Sequence, residues 1–387
     1  MRKLHLVMTL FLALALAAAG SGQSEDDQPA PGQTTTASAA AGDRLNLRGV
    51  CPNPVVVQTD WDPESEYGVY YHLLGPNPKV DTERKRVSGP LVAEGKDTGV
   101  QIEVRTGGPS IGFEPVSAQM YKDITLGQVS TDEAVRFSAG QPTLAVAAPM
   151  EVSPFMIMWD PESYPQFQRI ADIGKSDAKV FYFEGDTYME YLIAAGVLKR
   201  SQVDGSYDGK PGNFVAAGGK AAQAGFATSE PYLYANDPKW ARPLRYALVN
   251  DTGYPFYPQA LAIRAGDKQK LAPCLEKLVP IVQRAQVDYL QHPDATTRLV
   301  VDLVKQYNTG WVYSRGLADY AIRKMREDFV VNGPDQTLGN FDMARVQRMI
   351  EIVTPIFTAQ RKPPKAGLKP EDVATSEFVD ETIGVAS

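Results

Sequence analysis

The sequence predicts an α/β protein of two lobes, each built on an open, mostly parallel sheet flanked by helices, with a helical C-terminal part. Three observations carry that expectation. Short β-branched or small apolar runs alternate with segments of helical period from residue 55 onward, the alternation restarts near Ile170, and after Gly266 four amphipathic stretches follow one another with no strand between them. Length agrees, because about 345 residues remain once the first forty or so are set aside, more than a single hydrophobic core usually serves.

The elements follow in order. Val55 to Thr59 is a β-branched run ended by Asp60-Trp61-Asp62-Pro63, and Tyr67, Tyr70, Tyr71 and Leu74 then recur at helical spacing within Glu64 to Gly75. Val100 to Thr106 reads as a strand, Gly107-Gly108-Pro109 as a turn and Phe113 to Lys122 as a helix. A strand around Ile124 to Val129 leads into Ser130-Thr131-Asp132-Glu133, where a hydroxyl followed three residues later by an acid resembles a capping box. Thr143 to Ala148 is a small apolar strand and Pro154 to Trp159 another apolar run. From Ile170 come a helix, a strand over Lys179 to Phe183, and a helix opened by Gly185-Asp186-Thr187 that runs to Ala195. Asn213 to Ala216 reads as a short strand, Gly218 to Ala224 as a small-residue helix, and Gly225 to Thr228 as a strand closing on Ser229-Glu230-Pro231-Tyr232. Leu244 to Asn250 and Tyr257 to Arg264 are extended. The helical part comprises Leu271 to His292, Asp294 to Asn308, Tyr313 to Asn332 and Phe341 to Thr358.

The N-terminus directs the chain outward. Met1, Arg2 and Lys3 form a positive start, Leu6 to Leu16 an apolar core, and Ala17-Ala18-Ala19-Gly20 a small-residue cleavage zone, the pattern of an export signal over residues 1–20. Residues 21–46 lack periodicity and are rich in Gln, Ser, Thr, Ala, Pro, Gly and acid, which reads as a disordered tether. No later run reaches the length of a spanning helix, so the mature part is expected to be soluble. The formal charge is −7, and no Lys/Arg-rich face is visible, which argues against nucleic acid as a partner. Cys51 and Cys274 are the only cysteines and both lie in the exported part, so a disulfide between them is expected, the alternative being two buried thiols. In the chain-entropy model so long a loop contributes about 5 kcal/mol. With His5, His72 and His292 as the only histidines, no zinc spacing exists, and neither a metal nor a cofactor is expected.

Open α/β sheets bind ligands at the carboxyl ends of their strands, which singles out five loops in advance. They supply Asp60 and Trp61; Gly107, Gly108, Pro109 and Ser110; Thr131, Asp132 and Glu133; Glu184, Asp186, Thr187 and Tyr188; and Ser229, Glu230 and Tyr232. Acids, hydroxyls and aromatics dominate, and basic residues are nearly absent apart from Arg105 on the preceding strand. Such a set favours a neutral or cationic, planar, nitrogenous ligand over a sulfonate, nitrate or phosphate. Gly107-Gly108-Pro109 is either a plain turn or a cradle of backbone amides, and Trp61 either faces the ligand or belongs to the core. A catalytic constellation is not apparent. His72 and His292 sit in or at the end of helices, and no Gly-x-Ser-x-Gly elbow, phosphate-binding lysine loop or dinucleotide fingerprint occurs in context.

The order of these features resembles a known family. The export signal and polar tether, Val55-Val56-Val57-Gln58-Thr59-Asp60-Trp61-Asp62-Pro63 leading into Tyr67-Gly68-Val69-Tyr70, the Gly107-Gly108-Pro109 turn, the Ala145-Val146-Ala147-Ala148 strand, Ser229-Glu230-Pro231-Tyr232 and the late Thr375-Ser376-Glu377-Phe378-Val379-Asp380 segment resemble a type II periplasmic solute-binding protein over roughly residues 50 to 385. Within that fold the branch it most resembles serves thiamine pyrimidine precursors, riboflavin, sulfonates and nitrate. The resemblance implies a monomeric, non-catalytic binder that captures a small solute between two lobes and delivers it to the membrane permease of an ATP-binding-cassette importer. It places lobe 1 at 47–150 plus 258–387 and lobe 2 at 151–257, with crossings at Pro149 to Trp159 and Tyr254 to Ile263. One departure is Ser21, which follows Ala18-Ala19-Gly20 where tethered relatives carry a lipid-modified cysteine. Either the protein is a soluble secreted or periplasmic binder, or a natural cysteine has been replaced there and the exported protein is tethered at the cell surface. Two other readings stay open: an exported enzyme resembling the pyrimidine synthase of the same fold, and an adaptor that binds partners through the helices from Leu271 to Thr358.

Overall fold

The computed structural model describes residues 44–330 and 335–385, which belong to one structural unit. The export signal and residues 21–43 of the expected tether lie outside the described residues. At the end of the expected tether Leu45 is buried in the first core cluster and Arg44 pairs with Glu94, and Leu47 just beyond it is buried as well.

Two mixed sheets form the frame. The strands are β1 (Val55–Gln58), β2 (Lys79–Asp81), β3 (Arg86–Ala93), β4 (Lys96–Arg105), β5 (Leu126–Val129), β6 (Thr143–Ala147), β7 (Phe155–Trp159), β8 (Lys179–Phe181), β9 (Val203–Asp204), β10 (Ala221–Phe226), β11 (Arg245–Leu248) and β12 (Ala260–Arg264). Seven join in the order β2-β3-β4-β1-β5-β12-β6 and five in the order β11-β7-β10-β8-β9. The chain therefore passes from the first sheet to the second between β6 and β7 and returns between β11 and β12. Phe155 to Trp159, expected within the first crossing, instead pairs with β10 and β11.

The expected fold class holds, but the pairing is mixed rather than mostly parallel. β1 runs parallel to β4 and β5, and β8 parallel to β10 and β9, whereas the other six pairings are antiparallel. β1 is buried along its whole length, as its continuous β-branched run requires of a strand covered on both faces. β3 alternates half-buried and buried residues and forms a hairpin with β4 through Glu94 and Gly95, both at positive φ as a two-residue turn of this kind demands.

The sequence reading reversed two elements. Asn213 to Ala216 belongs to the helix Gly212–Ala216, and Ala221–Phe226 is a buried strand, not a helix. Alanine has the highest helix propensity, but propensity is a small term per residue, and pairing with β7 on one side and β8 on the other outweighs it. The helix expected over Phe113 to Lys122 shrinks to Val116–Gln119.

The longer helices are α1 (Thr131–Phe137), α2 (Thr187–Ala194), α3 (Glu230–Asn236), α4 (Lys268–Gln291), α5 (Asp294–Tyr307), α6 (Arg315–Lys324) and α7 (Met343–Ala359). α6 continues into a wider turn, Met325–Phe329. Among the described residues no helix is long and apolar enough to cross a membrane.

One arginine gathers both crossings. Arg345 of α7 donates to the Glu151 carbonyl at 2.8 Å and its carboxylate at 2.9 Å, and to the carbonyls of Pro255 and Phe256, each at 2.8 Å. Its guanidinium lies 3.7 Å from the centre of the Tyr257 ring.

Cys51, just before β1, is joined to Cys274 of α4, closing a loop of 223 residues. Intact mass after alkylation should be unchanged for the native protein and show two added groups only after reduction and unfolding. Reduction should also lower the thermal midpoint by several degrees, the scale of about 2–5 kcal/mol in a domain this size.

Candidate functional site

A cavity of about 320 Å³ is lined by both sheets, in the range of small-molecule sites. Its walls are built where strands end. Asp60 and Trp61 follow β1, Ser130, Asp132 and Glu133 follow β5 at the start of α1, Glu184 to Tyr188 lead into α2, and Ser229 and Glu230 open α3.

The Asp60-Trp61 loop is held by a close approach of backbone. The Gly107 amide donates to the Trp61 carbonyl at 3.0 Å and the Gly108 amide to the Asp60 carbonyl at 2.9 Å. A Cβ on Gly107 would lie 2.3 Å from the Thr59 carbonyl oxygen, and one on Gly108, at φ +53°, 2.9 Å from the Trp61 ring. These amides are spent inside the protein, so the Gly-Gly-Pro segment is a latch on the loop rather than a cradle for ligand.

Of the sixteen residues expected at the site, eleven line the cavity: Asp60, Trp61, Gly108, Asp132, Glu133, Glu184, Asp186, Thr187, Tyr188, Ser229 and Glu230. The other five stand outside its lining, each for a physical reason. Gly107 is buried behind the loop it latches, and Pro109 and Ser110 face outward on a short turn. The Thr131 hydroxyl accepts the Tyr257 amide at 3.0 Å. Tyr232 turns away to Tyr320 and to Gly316, where a Cβ would lie 2.0 Å from the Tyr232 hydroxyl. Trp61 combines the two expected placements, lining the cavity and packing against the first core.

The capping box does not form. Glu133 Oε1 instead accepts the Ser117 amide at 3.0 Å, and the Ser130 side chain caps nothing.

The lining is acidic and largely unneutralised. Of the eight carboxyl groups on it, only Glu114 forms an ion pair among the described residues, with Lys122. Neutral donors serve several others. Tyr254 Oη donates to Asp132 at 2.9 Å, Tyr207 Oη to Glu230 at 2.6 Å, the Phe226 amide to Glu230 at 2.7 Å, and Gln259 Nε2 to Asp60 at 3.3 Å and to Tyr67 Oη at 2.9 Å. Arg136 is the single lysine or arginine on the described lining. Its guanidinium donates to the Gly185 carbonyl at 2.8 Å and lies over the rings of Phe137 and Phe357.

Loss of water therefore dominates the protonation of these acids. Burial raises Asp60 to about 6 and Glu133 and Asp186 to about 7, against partial opposition from hydrogen bonds. Burial likewise raises Asp132 and Glu230, and it lifts Glu64 well above the ordinary range, helped by the negative charges of Glu66 and Asp60.

An aromatic collar completes the site. Trp61 meets Phe183 and Trp311 edge-on at 5.7 Å and 6.1 Å, and Phe113 at a tilt with centres 6.0 Å apart. Phe113 is 47% exposed and sits at φ +59°, a conformation unfavourable for a bulky residue. Gln259, at φ +48°, is similarly strained where β12 begins. Sequence reading missed Glu64, Tyr67, Gln128, Tyr207, Gln259, Trp311 and the cavity-lining phenylalanines. Only the isolated glutamine in the apolar run Leu126-Gly127-Gln128-Val129 offered a local signal.

No family model matches the chain, and no curated protein matches it. Solved structures do. A protein from Bordetella bronchiseptica RB50 aligns over 84% of this chain and 96% of its own at 14% identity and a TM-score of 0.54. The periplasmic aliphatic sulphonate binding protein SsuA from Escherichia coli aligns over 87% and 93% at 15% identity and a TM-score of 0.50. The fold is that of the periplasmic binding proteins. The alkanesulfonate-binding protein SsuA from Xanthomonas axonopodis pv. citri is also similar, covering 84% of this chain and 98% of its own at 15% identity and a TM-score of 0.49. In this periplasmic-binding-protein fold the cavity lies where strand ends from both sheets meet.

Two predictions follow from the geometry. Gly107→Ala should displace the Asp60-Trp61 loop and lower stability by about 2 kcal/mol or more, read as a fall in urea midpoint with the m-value unchanged. The raised acids bind protons more tightly in the folded chain than in the unfolded one, so stability should fall as pH rises from about 4 to about 7. A thermal midpoint of ligand-free protein that climbs across that range would show the acids to be stabilised as anions.

Proposed function

We propose that this protein is the extracytoplasmic solute-binding component of an ATP-binding-cassette importer, and that it captures a small nitrogen-containing, cationic solute. The observation that carries this reading is the lining itself: seven carboxyl groups without an ion-pair partner among the described residues, surrounded by aromatic rings, in a cavity bounded by both sheets. A cation entering it gains charge-assisted hydrogen bonds and ring contacts and relieves the cost of burying the acids. A sulfonate or nitrate would meet the same carboxyls with Arg136 alone in compensation. The sulphonate specificity in the name of the Escherichia coli neighbour is thus not extended to this chain.

On this reading the two sheets mark the two lobes, residues 47–150 plus 258–387 and residues 151–257, and capture closes them about the crossings that Arg345 holds. The solute then passes to a membrane permease, and the binder acts as a monomer after export to the periplasm or cell surface. A non-catalytic role is favoured by the placement of the described histidines. His72 bonds Thr296 at 2.9 Å and Asp288 at 2.8 Å, His292 bonds Asp288 at 2.9 Å, and neither lines the cavity.

A thermal-shift screen of the exported protein tests the reading. The panel holds thiamine and its pyrimidine precursors, flavins, amines, nucleobases, amino acids and alkanesulfonates. A nitrogenous cation at a hundred times its dissociation constant should add about 2.7 kcal/mol and raise the midpoint by a few degrees. Selective stabilisation by sulfonates or nitrate would reverse the ligand assignment, and turnover of any pyrimidine would reverse the non-catalytic one.

A further inference from the structure

Resting on the solute-binding reading, we infer that the ligand is an α,ω-diamine or linear polyamine, with a cationic nitrogen at each end of an apolar spacer. Acids and rings are arranged together within the cavity. Glu230, at the start of α3, accepts the Phe226 amide at 2.7 Å and the Tyr207 hydroxyl at 2.6 Å. Asp186 stands just before α2, whose Tyr188 also lines the cavity. A continuous run of rings joins the two segments. Phe226 packs on Phe155 with centres 4.4 Å apart, and Phe155 on Tyr188 at 5.2 Å. All five side chains line the cavity. A run of rings, Phe226-Phe155-Tyr188, thus connects the segment whose amide Glu230 accepts with the helix that Asp186 precedes.

Of the seven buried lining atoms without a hydrogen-bond partner among the described residues, carried by Gln128, Arg136, Tyr188, Ser229, Gln259 and Trp311, two acceptors fit the same ligand. Ser229 and Gln259 are 4% and 3% exposed, both line the cavity, and Ser229 Oγ and Gln259 Oε1 have no hydrogen-bond partner among the described residues. Gln259 Nε2 is already committed to Tyr67 and Asp60, which leaves its oxygen as an acceptor. Buried polar atoms in native structures are normally paired, so such acceptors beside carboxyls fit the several N–H donors of an ammonium group. A monocation would satisfy one end and leave the other set of acids uncompensated. A zwitterion would need a cation at one end, and Arg136, the sole candidate on the described lining, donates one N–H to the Gly185 carbonyl and keeps a buried Nε without a hydrogen-bond partner among the described residues, which makes an ω-amino acid the competing ligand.

Titration calorimetry on the exported protein at neutral pH separates these cases. The ligands are putrescine, cadaverine and longer diamines, a monoamine and an ω-amino acid of matching length, and a neutral heterocycle. One diamine length should bind about tenfold or more tighter than the matching monoamine, and both Asp186→Asn and Glu230→Gln should reduce diamine affinity to about the monoamine level. Circular dichroism and thermal midpoints confirm that each variant is folded, and either one suffices for the comparison. Equal affinity for monoamine and diamine, or tighter binding of the heterocycle, would sink the two-centre inference and leave the solute-binding reading standing. A preference for the amino acid would do the same by assigning the second end to Arg136. Silence from every member, together with silence in the wider screen, would overturn both.

Discussion

Placing many carboxyl groups in one desolvated space without bonded cations is the constraint around which this molecule is arranged. Charge burial of that kind is tolerated only when the groups keep their protons or find other partners. The protein supplies neutral ones. Tyr254, Tyr207, Gln259 and the amides of Ser117 and Phe226 each serve a lining acid directly. Tyr254 and Gln259 reach their acids across 122 and 199 residues, whereas the Ser117 and Phe226 amides serve acids close by in the chain. The same requirement explains why the neighbours of the cavity are tyrosines, which join an apolar body to one polar tip.

Rigid supports then fix the walls. The Gly107-Gly108 backbone takes hold of the loop after β1, and side chains at either position would collide with what they hold. Arg345 spends its donors on both chain crossings and its face on Tyr257, a set of contacts that the point charge of a lysine does not reproduce. The acids therefore sit on a scaffold whose geometry is set by backbone hydrogen bonds rather than by the acids themselves.

Much of this was legible in the sequence because strand ends are local features. Asp60, Glu133, Asp186 and Glu230 could be placed at the cavity from the β-branched or apolar runs that precede them and the helices that follow. Cys51 and Cys274 could be paired because nothing else was available to either. What escaped was non-local or ambiguous by pattern. Trp311 reaches Trp61 from a loop between helices 250 residues further on, and no periodicity marks such a meeting. The β2–β3 hairpin is short and polar on one face. Ala221–Phe226 has the composition of a helix and the neighbours of a strand, and sheet pairing decided the outcome. Mixed pairing was likewise invisible, since a run of apolar residues does not state the direction of its partner.

The Trp61–Trp311 pair gives the cavity an optical signature. The chain has four tryptophans, and these two stand edge to face with ring centres 6.1 Å apart on the cavity lining, whereas Trp159 and Trp240 are buried away from it. Indoles that close couple their excited states, and the coupling depends on their mutual angle. The near-ultraviolet dichroism of this protein therefore carries a built-in gauge of the collar, one that reports on the mouth of the site without any attached label.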